Sequence, residues 1–578
     1  VAEKIDLADK IIKTIGHLAQ IRQPYEYMWD EIIDFVVHYR RGINSTSSKG
    51  LKTGERVYDT TPLQALNLLA DGLHGYLVSP SIRWFGLKLP NRIEFPLTNF
   101  GNMRKWNGKR ADSIPEIKQW LEDSEDVMYS DFLRSNFYET TPEYFRDGGS
   151  IGTANMYVEE DVRTGKTIYM LYHPREYYIV EGKDGSVKAV YRKFSYTLDQ
   201  LVEMFGYEKM TDVDENFKTM YENNPYTETE VAHAVYPRDT YDPQKKDVKN
   251  MQWASVWIHC AKSKVLRESG RTFFPHLTWR WRKNGDEWWG RSPSWDAYVE
   301  IVKNNQAEKD LMEVQQMMAR PPYYATEDLR GKVKIRPKGR TWLSQSQYDR
   351  PPKPYDLNLS GFPITLERQD RAQQIIKDFY HTDLFFLLSD AARNKVPLTA
   401  TQVIEISGER AAIIGTRIGR LHQELMNPAI DIQFSIANEG GRIPPPPDVL
   451  YELAGANIEV DYMGPLSQAQ KRLFRTQGIF AGLEAAAKVG QLFPSALQNI
   501  DEDATMLETL DAVGFPIKAI RPEDKVREMR EVEAARRDEI EKAAMLGTLA
   551  DKMPKMSRAI EKGSIMEKLT GISGGGKQ

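Results

Sequence analysis

A single cysteine, Cys260, stands in 578 residues, which excludes an intramolecular disulfide and fits a reducing compartment or indifference to redox state. No run of eighteen apolar residues occurs, so no transmembrane helix is expected and no membrane partner is assigned. The opening Val1-Ala2-Glu3-Lys4-Ile5-Asp6 lacks the charged-then-apolar pattern of a secretory signal, and a soluble chain made in a cytoplasm is expected. Nine histidines show no metal-ligand spacing, and His259 and Cys260, being adjacent, would point to opposite faces of a strand. Neither metal nor cofactor is therefore expected. Charge of one sign is also missing: the net charge is −4, so any nucleic-acid contact must be local.

What is present is enough apolar matter to fold. Hydrophobic residues make up 41%, and 12 Trp and 28 Tyr argue against disorder. The length allows roughly three or four domains. The first third reads as helices: Ile11, Ile12, Ile15, Leu18 and Ala19 form one apolar face, and Pro24 opens a second helix with Trp29, Ile32, Ile33 and Val36. Pro62 behind Thr60-Thr61 starts a third, and Ser113-Ile114-Pro115-Glu116 reads as a capping box. From 153 to 282 the pattern becomes antiparallel β. Thr164-Gly165 and Asp184-Gly185 are its hairpin turns, and Thr197 with Gln200 caps a short helix that stops at Gly206.

Ser292-Pro293 begins a helix that Pro321-Pro322 stops, about 28 residues and about 42 Å long. A second long helix is expected over 365–392, and a third from the cap Thr399-Ala400-Thr401-Gln402 to about Pro428. Between the first two lies a stripe in which every second residue is basic: Arg330, Lys332, Lys334, Arg336, Lys338 and Arg340. On an extended strand these six charges share one side. A solvated edge strand would look the same, since edge lysines discourage unwanted pairing. Copies arranged in a ring would instead rim a hole with positive charge. After Pro444 to Pro447 come a strand at Ile458 to Tyr462 and helices near 467–490, 498–512 and 522–546, with a glycine-rich tail expected to be disordered.

Enzyme signatures fail on context. Gly148-Gly149-Ser150-Ile151-Gly152 spells a nucleophile elbow, but a helix precedes it and a strand follows, the reverse of what an elbow needs. Gly571 to Lys577 nearly spells a phosphate loop, with Gln578 where Ser or Thr is required, so any ATPase in the process must be another chain. Asp501-Glu502-Asp503 reads as a solvated helix start rather than a cation site. Trp279, Trp281, Trp288 and Trp289 with Arg280, Arg282 and Lys283 could form a stacking platform for single strands, but alternating aromatics more often pack a core. No enzyme emerges.

At these same blocks the chain resembles the portal, or head-to-tail connector, proteins of short-tailed double-stranded DNA bacteriophages. The matching stretches are Arg22-Gln23-Pro24-Tyr25-Glu26, Tyr58-Asp59-Thr60-Thr61-Pro62 through Ser79-Pro80, Trp84-Phe85 and Gly152-Thr153-Ala154. Further along come Arg175-Glu176-Tyr177-Tyr178, Val190-Tyr191-Arg192, Tyr236-Pro237-Arg238, Trp289-Gly290-Arg291-Ser292-Pro293, Pro321-Pro322 and Thr399-Ala400-Thr401-Gln402-Val403. They keep one order over about residues 20–475. The resemblance implies an α+β portal fold that forms rings, usually dodecamers, at one capsid vertex. Double-stranded DNA would be packaged and ejected through the channel, without regard to sequence.

By the same resemblance, residues 1–290 would be wing, 291–320 and 365–392 the stem helices, and 321–364 the clip between them. Residues 393–397 would be the tunnel loop, with Arg393, Asn394 and Lys395 near DNA, 398–464 a return to the wing, and 465–578 the crown and C-terminal helices. The implied partners are further copies of the chain, the large terminase subunit (the packaging ATPase), major capsid and scaffolding proteins, and tail adaptors. The implied place is the virion, with host cytoplasm during assembly. The alternative is a nucleic-acid-binding protein that forms no ring and uses the 330–340 stripe.

Overall fold

A computed structural model describes residues 7–40, 54–89, 114–161, 163–242, 247–320, 322–324, 353–354, 362–385, 419–451, 458–463, 482–488, 502–513, 525–527 and 529–537, with Lys245, Glu327, Arg330, Arg521 and Ile540 as single positions. By internal contacts the chain divides into Val1–Leu473 and Phe474–Gln578.

In the first unit, α1 (Leu7–Phe35) is one helix rather than two, with Pro24 inside it. Its two halves are held by different cores. Ala8, Ile11, Ile15 and Leu18 pack on a sheet, while Trp29, Ile32 and Ile33 join the main core. Burial on both sides of the proline offsets the lost backbone hydrogen bond, which alone would favour a break. Helix α2 (Thr61–Leu77) starts at Thr60 with Pro62 in its first turn, as its sequence requires. Strand β1 (Phe85–Lys88) and helix α3 (Pro115–Arg134) follow. The N-cap of α3 is Ile114, whose side chain makes no cap bond; Ser113, the expected capping residue, lies outside the described residues. Helix α4 (Phe137–Ser150) then runs into the β-region.

Strands β2 (Thr153–Asp161) and β3 (Lys166–Tyr172) form the expected hairpin, as do β4 (Tyr177–Glu181) and β5 (Val187–Thr197) around Gly185, whose φ is +78°. Helix α5 (Leu198–Phe205) carries the predicted capping box, and Gly206 ends it at φ +87°. Helices α6 (Tyr207–Val213) and α7 (Phe217–Asn223) precede β6 (Glu228–Pro237), β7 (Trp253–His259), β8 (Lys264–Arg271) and β9 (His276–Arg280). All pairings are antiparallel, in a sheet of order β3-β2-β9 and another of order β4-β5-β6-β7-β8. The larger sheet is covered by α1 on one face, while Phe194, Leu201, Met210, Phe217 and Trp257 pack together beneath α5 to α7. Double coverage explains why β6 reads Val-Ala-His-Ala-Val, apolar on both faces.

Helix α8 spans Pro293–Ala319, starting and stopping at the expected prolines. The two-residue strands β10 (Tyr323–Tyr324) and β11 (Lys353–Pro354) pair antiparallel. Helix α9 runs Phe362–Phe379, and a 3₁₀ turn over Thr382–Phe385 follows His381 at φ +53°. The single helix expected over 365–392 is thus interrupted at His381; its residues 386–392 lie outside the described ones. So does most of the third helix, including its expected cap. Its described part passes Pro428 instead of stopping there: a π-helical turn at His422–Met426 leads into α10 (Asn427–Glu439). A widened turn before a proline relieves the clash of its ring with the preceding carbonyl. Strand β12 (Glu459–Tyr462) pairs with β1.

In the second unit the described residues include helix α11 (Glu502–Val513) and helical stretches at 482–488 and 529–537. Asp503 accepts two hydrogen bonds from Arg530, at 2.5 and 2.6 Å, which gives the acidic helix start a charged partner.

Candidate functional site

The long helices α8 and α9 pack on each other, and their junction with the β-region is built from small residues. Ser292 caps α8, its Oγ accepting from the Trp295 amide at 3.0 Å and donating to the Ser150 carbonyl at 2.6 Å. Two residues on, the Ser294 hydroxyl donates to the Gly149 carbonyl at 2.9 Å and lies 2.6 Å from the hydroxyl of Tyr380, which is fully buried just past the end of α9. The last carbonyls of α4 therefore hold the start of one long helix, and that helix holds the end of the other.

Close approach explains the glycines here. A Cβ on Gly148 would stand 2.2 Å from the Trp279 ring. Gly152 has φ +99°, and a Cβ there would lie 2.4 Å from the Gly290 carbonyl oxygen. The Gly148 to Gly152 motif is thus a packing corner: the buried Ser150 Oγ donates to the Arg146 carbonyl at 2.7 Å, a helical back-bond.

Beside this corner sits a buried charge that sequence reading missed. Arg280, on β9, is 0% exposed. Its Nη1 donates to Glu181 Oε2 at 2.8 Å, and its Nη2 donates to Glu424 Oε1 at 2.6 Å and to the Gly185 carbonyl at 2.7 Å. Lys283 also pairs with Glu181, and Arg420 with Glu424 at 3.1 Å. One guanidinium thus ties β4, β9 and the π-helical turn together, using the fork geometry lysine lacks. Its neighbours Trp279, Trp281 and Trp289 are core residues at 1%, 3% and 2% exposure, so they offer no stacking platform to a nucleic acid.

At the far end of the pair, the β10–β11 pairing brings the chain back to where it left α8. Tyr323 faces Pro354 and Tyr324 faces Lys353 in that pairing. Arg330 is exposed in a turn, its amide donating to the Glu327 carbonyl at 2.9 Å. Lys332, Lys334, Arg336, Lys338 and Arg340 lie outside the described residues, as do Arg393, Asn394 and Lys395.

Toward its free end α8 is bare. Met312, Met317 and Met318 are 43–44% exposed, and near the start of the helix Val299 is 57% exposed. At about 100° per residue, Val299 and Met317 fall opposite the side carrying buried Ile301, Met318 falls on a flank, and Met312 falls near the Ile301 side. Apolar side chains therefore project on several sides of one helix.

Two curated relatives align over 94% of this chain and 94% of their own length: the portal protein of Salmonella phage epsilon15, 29% identical over 556 residues, and a probable portal protein of Bordetella phage BPP-1, 26% identical over 557. Among solved structures, a chain from the virion of a native gene transfer agent particle matches with TM-score 0.31 and 11% identity, over 74% of this chain and 86% of that one. The family model described as bacteriophage head to tail connecting protein matches residues 8–520. The chain belongs to the bacteriophage head-to-tail connecting proteins.

Proposed function

We propose that copies of this chain close into a ring at the vertex joining head to tail, and that double-stranded DNA is packaged and ejected through its axis. The observation that carries the ring is the bare end of α8. A helix with apolar side chains on several sides needs cover on several sides. Helix α9 supplies part of it; in a ring, each stem pair gains a neighbour on either flank. Dodecamers are the expected closure.

Within that reading, the 321–364 excursion is a clip that docks the packaging ATPase and later the tail adaptors, and residues 393–397 form the tunnel loop. Capsid and scaffolding proteins would meet the ring elsewhere. The basic stripe from Arg330 to Arg340 attracts the duplex or a docking partner near one mouth, while the chain as a whole stays acidic at −4. Such a balance suits a conduit, because each neutralised phosphate releases counterions and adds affinity that translocation must break. Contacts should fall on phosphates, which carry no sequence.

The test is genome filling. With Lys332, Lys334, Arg336 and Lys338 neutralised together, rings should form normally but heads should stay empty. Deleting Arg393 to Lys395 should likewise spare assembly and reduce DNA retention. Full heads at wild-type frequency from both variants would refute these assignments.

A further inference from the structure

Methionine is unevenly placed in this chain. Of its 20 methionines, Met312, Met317 and Met318 stand within seven residues of α8, and that helix holds no others. Leu311 is the last buried side chain of α8, and from Met312 to Ala319 every residue is exposed or half-buried. One residue turns a helix by about 100°, so the three side chains leave α8 in three directions and no single neighbour covers them all. Elsewhere in the first unit, Met128, Met156, Met210 and Met426 are buried in the cores.

Leucine or isoleucine would offer a neighbouring helix the same apolar cover. A thioether adds one reaction that they lack. Its sulfur attacks one oxygen of a peroxide; the O–O bond breaks, an S=O bond forms, and one proton passes to the leaving oxygen, which departs as water. The sulfide loses two electrons and the peroxide gains them. The product, methionine sulfoxide, carries a polar oxygen where the side chain was apolar. Between packed helices that oxygen is taken out of water, and burial without a donor opposes association. Cys260 does not compete for the oxidant, because burial pushes its thiol up to about 11 and keeps it protonated.

We propose that Met312, Met317 and Met318 form an oxidation site through which peroxide governs ring closure. The reduced chain closes, the sulfoxide form does not, and the closed ring shields its own sulfurs. This rests on the ring reading above, since the bare end of α8 is the surface that closure covers. Two further exposed methionines, Met506 and Met529, lie in the second unit and serve as a comparison.

The experiment takes the full-length protein, separated by size into single chains and assemblies, and treats each with hydrogen peroxide. Peptide mass spectrometry reads sulfoxide at every methionine, and mass photometry reads the yield of rings. In single chains the three should oxidise at least about tenfold faster than Met128, Met156, Met210 and Met426. Ring yield from those oxidised chains should fall at least about tenfold, and should return when methionine sulfoxide reductases remove the oxygens. In closed rings the three should resist as the buried four do. A chain carrying Met312→Leu, Met317→Leu and Met318→Leu cannot take up these oxygens, so its ring yield, whatever the starting level, should be the same with and without peroxide. The reductase arm needs no variant. A loss of closure that persists in the leucine chain would place the cause at Met506, Met529 or elsewhere and overturn the site. Undiminished rings from chains bearing all three sulfoxides would overturn it too. Single chains that never close, oxidised or not, would sink the ring itself, so the two failures read differently.

Discussion

Arg280 shows how much one side chain can hold. Replacing it by methionine keeps the volume but leaves Glu181 and Glu424 facing each other without the guanidinium between them. Breaking a buried pair from one side costs about 3–5 kcal/mol. The midpoint of urea unfolding for Arg280→Met should fall accordingly, and a change below about 1 kcal/mol would mean that Lys283 and Arg420 suffice. Sequence alone could not find this role. Alternation on a strand put Arg280 opposite Trp279 and Trp281, but nothing local says that both faces are buried. Its partner Glu424 lies 144 residues away.

Titration at single residues gives a second expectation. Burial pushes the imidazoles of His173 and His276 down to about 3 from an ordinary 6.5. Below pH 6.5 the unfolded chain binds protons that the native fold refuses, so the stability these residues contribute is full above 6.5 and drains as pH falls toward 3. Glu125 and Asp147 work in the opposite sense. Burial raises Glu125 to about 7 and Asp147 to about 6, so their contribution is complete in acid and lost as pH climbs through those values. Unfolding midpoints followed from pH 8 to pH 4 should therefore flatten on the acid side in His173→Asn/His276→Asn. In Glu125→Gln they should flatten between about pH 4.5 and 7. Unchanged slopes would contradict this assignment.

Elements were legible where their signals are local and obscure where the deciding contact is distant. The α5 cap, both hairpin turns and the Ser292-Pro293 start are short-range chemistry, and each appears at the residues expected. Thr197 completes its capping box with bonds of 3.1 and 3.3 Å, so Thr197→Ala should cost about 1 kcal/mol. Hydrogen exchange over 198–205 should report it, and unchanged protection would mean that packing under α5 carries the helix alone. Strand β8 went unread because it is the edge of its sheet. An edge strand with one open side needs no apolar alternation, and Lys-Val-Leu-Arg-Glu-Ser-Gly-Arg has little. The stop of α9 is equally hidden: Tyr380 is drawn to Ser294, and no glycine or proline marks the place.

At the scale of the whole molecule, the family was legible because its matching blocks hold one order along most of the chain, although no one block is distinctive. Here too the limit was physical. A packing corner and a buried guanidinium are made by contacts across long stretches of chain. By contrast, helix caps and prolines announce the long pair at once. The bare flanks of α8 are a property of one chain that makes sense among several.

The measurement that bears most directly on this is the native mass of the purified full-length protein, read by mass photometry at low and at physiological salt. The account predicts a closed assembly of hundreds of kilodaltons with an axial opening in class-averaged images. A stable species of 66.5 kDa, or a pair of chains without any opening, would contradict it.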